Sequence, residues 1–202
     1  MVVLLNGMFI DVVLPNKNES EFVSQAKKLG ADGLIFLYKK DDKNNFDFVK
    51  KFSDEKFFVF SGLIVKDKFL KKYDYLFSLG SRKNFENKKL DFVFEIEKNN
   101  CRDHTHYRNS GLNQVLCKLS KDKNITIFFS FNSLLNAKNN SLILGRMMQN
   151  AKLCKKYSVN VKIASFARKP SELRYWKDLI SFGKVIGLDA GQAKKAVLNR
   201  KV

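Results

Sequence analysis

Few residues in this chain have the types and spacing for chemistry. The best candidate is Cys101-Arg102-Asp103-His104-Thr105-His106, where His104 and His106 could supply two metal ligands and Asp103 or Cys101 a third. These are the only two histidines in 202 residues. Further ligands would have to be carboxylates, and the second half of the chain offers few: Asp122, Glu172, Asp178 and Asp189. We read the segment as a polar surface loop. Asp11 and Glu95, on expected strands, could point into a barrel mouth, but without a matching base or ligand set they read as strand-end carboxylates pairing with lysine. No G-x-S-x-G elbow and no Cys–His pair is present, and no dinucleotide fingerprint or Walker loop follows a strand. The residues by themselves identify no catalytic site.

Charge is the louder signal. The formal net charge is +18, and it is one-sided: residues 1–100 hold 18 Lys+Arg against 15 Asp+Glu, whereas residues 101–202 hold 20 against 5. Every arginine except Arg82 lies in the second half: Arg102, Arg108, Arg146, Arg168, Arg174 and Arg200. A half at +15 must tolerate its own repulsion, and nucleic acid is the commonest partner of such a surface. The lysines of the first half read as an ordinary solvated face. No apolar run approaches the ~20 residues that span a bilayer, so no membrane role is expected. Met1 to Leu5 lack a basic leader. Cys101, Cys117 and Cys154 are odd in number and widely spaced, which points to a reducing, cytoplasmic setting without disulfides. Cys117 and Cys154 fall on expected helices as small core residues.

The elements that would position these residues follow from periodicity. Strands are expected at Met8–Leu14, Leu34–Tyr38, Phe57–Phe60 (with an extension to Val65), Tyr75–Leu79, Asp91–Ile96, Ile125–Phe129 and Val161–Phe166, with a short last one at Val185–Leu188. Helices are expected at Glu19–Leu29, ended by Gly30, and at Phe46–Phe52. A very short one is expected around Phe69 and Leu70, and a stunted helix or loop at Arg82–Lys89. Leu112, Val115, Leu116 and Leu119 follow helical spacing behind a cap at Asn109 or Ser110. Lys118, Lys121 and Lys123 stand on or beside the helix end, where cations suit the dipole. A turn over Asn132–Asn140 leads into a long helix with Leu144, Met147, Met148, Ala151 and Cys154 inside and Arg146, Asn150, Lys152, Lys155 and Lys156 outside. Ser171 caps a helix closed by Gly183, and Gln192–Leu198 forms the last. Seven or eight β-then-α units with parallel-type apolar strands fit a doubly wound sheet or a barrel. We expect an α/β fold, a small distorted (β/α) TIM-like barrel in a single domain over 1–202, with its middle helices shortened.

One stretch is specific enough to compare. Gly111-Leu112-Asn113-Gln114-Val115-Leu116-Cys117-Lys118-Leu119, followed by Asn124-Ile125-Thr126-Ile127 and Phe129-Ser130, resembles the signature of the ribonuclease P protein subunit of about thirty kilodaltons, in its archaeal form (component 3). The resemblance runs on through Arg146-Met147-Met148, Lys155-Lys156-Tyr157, Leu173-Arg174-Tyr175-Trp176 and Gln192-Ala193-Lys194, and before 108 it is only topological. It implies a distorted PHP-like barrel that binds the ribonuclease P RNA. It also implies pairing with a second ribonuclease P protein subunit, as a heterodimer or heterotetramer, and assistance in removing the 5′ leader from precursor tRNA. The chemistry would then lie in the RNA with its Mg²⁺, and the protein would carry no cofactor of its own.

The resemblance also assigns RNA contacts: Arg108, Lys123, Arg174 and Lys194, with Arg82 or Lys83 at a looser position. Lys121, Arg168 and Lys169 join them as cations at a helix end and in a strand-end loop. Two departures stand out. Ser110 replaces a frequent proline, and Tyr107 stands where the family has lysine or arginine. The family's barrel resembles metal-dependent phosphoesterases, so a protein acting as a hydrolase by itself is the alternative, and a generic basic RNA-binding protein is a third.

Overall fold

The chain, as a computed structural model, is described at residues 7–41, 49–65, 72–86, 89–99 and 102–199. Seven strands run parallel in chain order: β1 (Met8–Val13), β2 (Gly33–Tyr38), β3 (Phe58–Ile64), β4 (Tyr75–Leu79), β5 (Phe92–Phe94), β6 (Thr126–Ser130) and β7 (Val161–Ala164). Each is rich in Val, Ile, Leu and Phe because both of its faces are covered. The helices are α1 (Glu19–Lys28), α2 (Arg82–Phe85), α3 (Gln114–Asp122), α4 (Phe131–Leu135), α5 (Asn140–Tyr157), α6 (Trp176–Val185) and α7 (Ala190–Val197). The fold is the TIM-like α/β barrel expected, nearly closed, with a middle helix cut to four residues in α2.

Closure between β1 and β7 uses three devices instead of a full ladder. At the N-terminal end of the strands a short β8 (Leu198–Asn199) pairs antiparallel with β1, and the Lys162 ammonium donates to the Leu198 carbonyl at 3.4 Å. At the other end Val13 bridges Ala167, and the Leu14 amide donates to the Ala167 carbonyl at 2.8 Å. Between them the buried Asp11 carboxylate accepts from the Ser165 amide at 2.7 Å. Asp11 therefore closes the barrel and, among the described residues, accepts from the Val12 and Ser165 amides where a lysine was expected. It shares strand parity with Phe9 and Val13, which pack toward the helices, and not with Ile10 and Val12 of the interior.

Aromatic rings fill that interior. Phe77 touches Phe92, Phe94, Phe128 and Phe166, and Phe94 stacks on Phe166 at 5.0 Å. Two further clusters lie between strands and helices.

Several expected boundaries moved. Phe131–Leu135 is a helix where a turn was expected, because the Ser130 hydroxyl accepts from the Ser133 amide and caps it. The expected strand at 185–188 is the end of α6 and a turn, since so short an apolar run cannot distinguish the two by period. The helix expected from Ser171 is only a 3-10 turn at Pro170–Glu172. The true helix begins at Trp176, and Gly183 lies inside it against Ile163 and Ala193. Of the helix expected over 46–52, residues 46–48 lie outside the described residues, 49–50 are helical and 51–52 form a turn; the one around Phe69 and Leu70 lies wholly outside. Among the described residues no helix is long and apolar enough to cross a membrane.

Burial pushes the Asp11 carboxyl up to about 6, although its hydrogen bonds from Ser165 and Val12 favour the ionised form. An unfolded aspartate titrates near ~3.9. Between these values the folded chain holds a proton that the unfolded chain has released. Ionising Asp11 therefore removes stability as pH rises through that window, on the order of 3 kcal/mol in all. Buried Glu97, pushed up to about 7, acts in the same direction at slightly higher pH. Asp11→Asn keeps an oxygen acceptor and removes the titration. Urea unfolding of variant and wild type from pH 4 to 6.5 should show the variant gaining relative stability, and a constant difference would contradict the desolvated carboxylate.

Candidate nucleic-acid interface

Helix α5 and the segment it holds organise the basic half. The sequence pattern placed Arg146 and Asn150 on the solvent face of α5, but Arg146 is 2% exposed and Asn150 is buried. They turn inward because residues 97–99 and 102–111 lie across the helix and bring backbone groups that need partners. Arg146 Nη1 donates to the carbonyls of Glu97 at 3.1 Å and Asn99 at 3.0 Å, while Nε donates to Asp103 Oδ1 at 2.9 Å. The same carboxylate oxygen accepts from the Asn109 amide at 2.9 Å. Asn150 donates to the Ser110 carbonyl at 2.9 Å, and Gln149 to the Arg108 carbonyl at 3.1 Å. Burial alone would raise the Asp103 carboxyl. The Arg146 and Asn109 hydrogen bonds, with the nearby charge of Arg108, hold it below the usual range instead.

The chain then enters α3 through Gly111, whose φ is +86° and whose added Cβ would sit 2.3 Å from the Ile96 carbonyl oxygen. The cap is Asn113, accepting from the Leu116 amide at 2.9 Å, and not Asn109 or Ser110. Leu112 is buried ahead of the helix. Val115 points out at 51% exposure and Met148 at 45%, so two residues assigned to apolar faces are solvent-facing.

The predicted cations fall into groups. Arg108 is exposed and lies along α5 at Gly145, with Nη1 3.5 Å from the Gly145 carbonyl. A Cβ at 145 would meet its guanidinium at 2.8 Å, so this glycine makes the bed for Arg108. A second group surrounds the contact of α2 with α3: Lys123 donates to the Glu86 carbonyl, Lys121 is in the last turn of α3, and Arg82 pairs with Glu86 at 3.3 Å beside exposed Lys83. A third is the segment between β7 and α6. Here the Arg168 amide donates to Glu172 at 2.8 Å, Lys169 is exposed, and Arg174 lies 5.6 Å over the Phe131 ring while donating to the Ser171 and Leu173 carbonyls. Lys194, on α7 near the N-terminal ends of the strands, joins none of these groups. Lys162 is also unlike an RNA-facing lysine: it is bonded to the Lys195 and Leu198 carbonyls, and burial lowers it to about 8.

At the strand-end mouth three lysines not expected from the sequence, Lys17, Lys39 and Lys40, join Arg168 in lining a cleft of about 650 Å³ beyond β1, β2 and β7. Their signal was position, directly after strand ends, and it was masked by the near-neutral balance of the first half. Deeper in the mouth Glu95 does pair with a lysine, accepting from Lys98 at 2.6 Å and from Ser133 at 2.8 Å. Asn132 donates to Glu172 at 3.0 Å. His104 and His106 are exposed, and among the described residues no group of three His, Cys, Asp or Glu side chains is placed to hold a metal ion. Cys117 and Cys154 are buried, and burial pushes the Cys117 thiol up to about 11.

Comparison with known proteins adds to this geometry. The profile of the RNase P subunit p30 family matches residues 101–201. Over 92 residues the chain is 30% identical to ribonuclease P protein component 3 of Methanosarcina acetivorans, covering 45% of this chain and 38% of that protein. The protein of the same name from Methanococcus vannielii is 27% identical over 190 residues, 84% of this chain and 79% of it. The match to the Methanosarcina protein thus spans well under half of that relative's length. Among solved structures, a chain of an archaeal ribonuclease P seen by cryo-EM with mature tRNA superposes with a TM-score of 0.75 at 24% identity, covering 92% of this chain and 85% of that one. Histidinol phosphate phosphatase of Lactococcus lactis, complexed with zinc, L-histidinol and phosphate, superposes at 0.61 with 8% identity, covering 91% and 94%. At these identities both structures establish the fold alone, a TIM-like α/β barrel.

Removing the buried guanidinium tests the organisation directly. Arg146→Ala strips the Asp103 carboxylate and two carbonyls of their donor and is expected to cost about 3 kcal/mol. Amide exchange should accelerate most over 97–111. Unchanged stability and unchanged protection there would show that the segment is held by other means.

Proposed function

The chain belongs to the RNase P subunit p30 family, and we propose that it is an RNA-binding subunit of ribonuclease P that assists removal of the 5′ leader from precursor tRNA. The observation carrying this reading is the placing of cations at fixed points of a rigid scaffold. Arg108 rests on α5, Lys123 is tied to Glu86, and Arg174 is held over Phe131. Held in this way, side chains lose less entropy on meeting phosphates than free ones would. Arginine forks suit bidentate phosphate contact, and lysines add point charges. Arg82, Lys83, Lys121, Arg168 and Lys169 stand in the same groups, while Lys194 lies apart from them on α7.

The reaction then belongs to the RNA and its Mg²⁺. The partners we assign are the ribonuclease P RNA, precursor tRNA within the holoenzyme, and a second protein subunit in a heterodimer or heterotetramer. The likeness to a phosphatase barrel favours a second reading, hydrolysis by the protein alone. Against it, the mouth carboxylates Glu95 and Glu172 are already engaged by donors of this chain. Metal content and phosphodiesterase activity of the purified chain without RNA separate the two readings, and turnover lost in His104→Ala would favour the hydrolase.

Binding of the chain to ribonuclease P RNA should weaken steeply with salt, because several phosphates are neutralised. Arg108→Ala, Lys123→Ala and Arg174→Ala should each reduce the slope of log affinity against log salt by about 1. Each should also lower stimulation of precursor-tRNA cleavage while unfolding within a few degrees of wild type. Binding that ignores salt would sink the proposal.

A further inference from the structure

Segment 102–109 carries a feature that phosphate binding does not use. Its turn is closed by the His104 amide donating to the Tyr107 carbonyl at 2.9 Å. Above that turn the two rings stack, with centroids 4.3 Å apart and planes 22° from parallel. Tyr107 is nevertheless 59% exposed. One of its faces is covered by His104, so that exposure belongs to the opposite face and the edge. A large ring held open to water beside a partner ring is an unfinished stack.

The pair is also fixed from both sides. Asp103, just before it, is clamped by the buried Arg146 guanidinium, with a second contact from Nη2 at 2.8 Å. After it, the Arg108 carbonyl accepts from Gln149 and the Asn109 amide donates to Asp103. Arg102 and Arg108 flank the rings, both exposed, while the one nearby carboxylate is already neutralised by Arg146. An open aromatic face between two exposed arginines, on a backbone that does not need to order, has the chemistry of a single-strand stacking platform. The base lies on the ring and the neighbouring phosphates meet the arginines.

The geometry points to Tyr107, backed by His104, as a stacking site for an unpaired RNA base, with Arg102 and Arg108 holding the adjoining phosphates. This rests on the RNA-binding reading above and specifies the form of RNA. Duplex RNA keeps its bases stacked inside and offers no free face to the ring. Tyr107 thus gives this chain a selectivity for single-stranded segments that a lysine or arginine at the same place would not supply.

The test uses the full chain, a labelled single-stranded 12-mer carrying 2-aminopurine at one position, and a duplex of the same sequence. Tyr107→Ala and Tyr107→Leu should weaken single-strand binding by about 5- to 100-fold, the range expected for one base–aromatic stack, and abolish quenching of the 2-aminopurine. Duplex binding and the salt slope should stay as in wild type, and Tyr107→Phe should behave as wild type in all three. Single-strand binding that is unchanged in Tyr107→Ala, or lost equally in Tyr107→Phe, overturns the platform and leaves the RNA reading standing. A wild-type chain that binds neither RNA overturns that reading itself. If Tyr107→Leu binds both RNAs normally but no longer assembles with the other subunits, the ring serves a protein contact and the proposal falls.

Discussion

A buried guanidinium sets the terms for the basic half of this protein. Taking an arginine out of water costs several kcal/mol, recovered only when the donors are matched and the charge is paired. Arg146 meets both conditions through Asp103 and the carbonyls of Glu97 and Asn99. Those acceptors belong to the long connection between β5 and α3, so the cost of burying the charge is offset only while that connection lies across α5. A connection of this length would ordinarily be free to move. Here the positions of Arg108, Tyr107 and the start of α3 follow from one ion pair and its hydrogen bonds. The neighbouring amides Asn150 and Gln149 extend the same seam by one further turn of helix.

The barrel meets a comparable constraint at its own seam. β1 and β7 do not share a full ladder, and an open parallel sheet would leave two edges with unpaired backbone. The chain closes the gap with β8 at one end, the Val13–Ala167 bridge at the other and a carboxylate between. The carboxylate is the demanding member. Asp11 supplies an acceptor where strand pairing supplies none, and one of its oxygens lacks a hydrogen-bond partner. Among the described residues, Glu95 and Phe166 hold left-handed backbone directly after strands β5 and close to the end of β7, and both line the mouth. Strain of that kind persists only where the surroundings over-determine it, and here Phe166 is fixed by its stack on Phe94 and by Asn132.

These two seams explain what could be read from the sequence and what could not. Strands β1 to β7 were legible because apolar parallel strands depend on local runs of residues, and α1 was legible with its Gly30 stop. The inward turn of Arg146 and Asn150 was not. Helical periodicity sorts residues by polarity, and a buried polar seam reverses the sorting without changing the spacing. The same reversal exposed Met148. The cap at Asn113 was missed because the segment before it held two other good cap residues, and the choice between them is made by Gly111 and its tertiary contact with Ile96. β8 is two residues long and exists only because β1 needs a neighbour there. The cationic residues of the basic half were legible as charges, while Gly145, which seats Arg108, carried no local signal at all.

The mouth of the barrel commits its carboxylates to internal contacts. A metal-assisted hydrolase needs carboxylates and imidazoles free to ligate at the strand ends. At this mouth Glu95 is bonded to Lys98 and Ser133, Glu172 to Asn132 and the Arg168 amide, and Glu19 to the Tyr38 hydroxyl. Each described carboxylate there is committed to a donor of its own chain. Lys17, Lys39, Lys40 and Arg168 are left to line the adjoining cleft. Only the Lys98 pair offsets a charge, because Ser133, Asn132, the Tyr38 hydroxyl and the Arg168 amide are neutral donors. What the internal contacts take from the rim is free carboxylate lone pairs, and in the adjoining cleft four cations stand against the single carboxylate of Glu19.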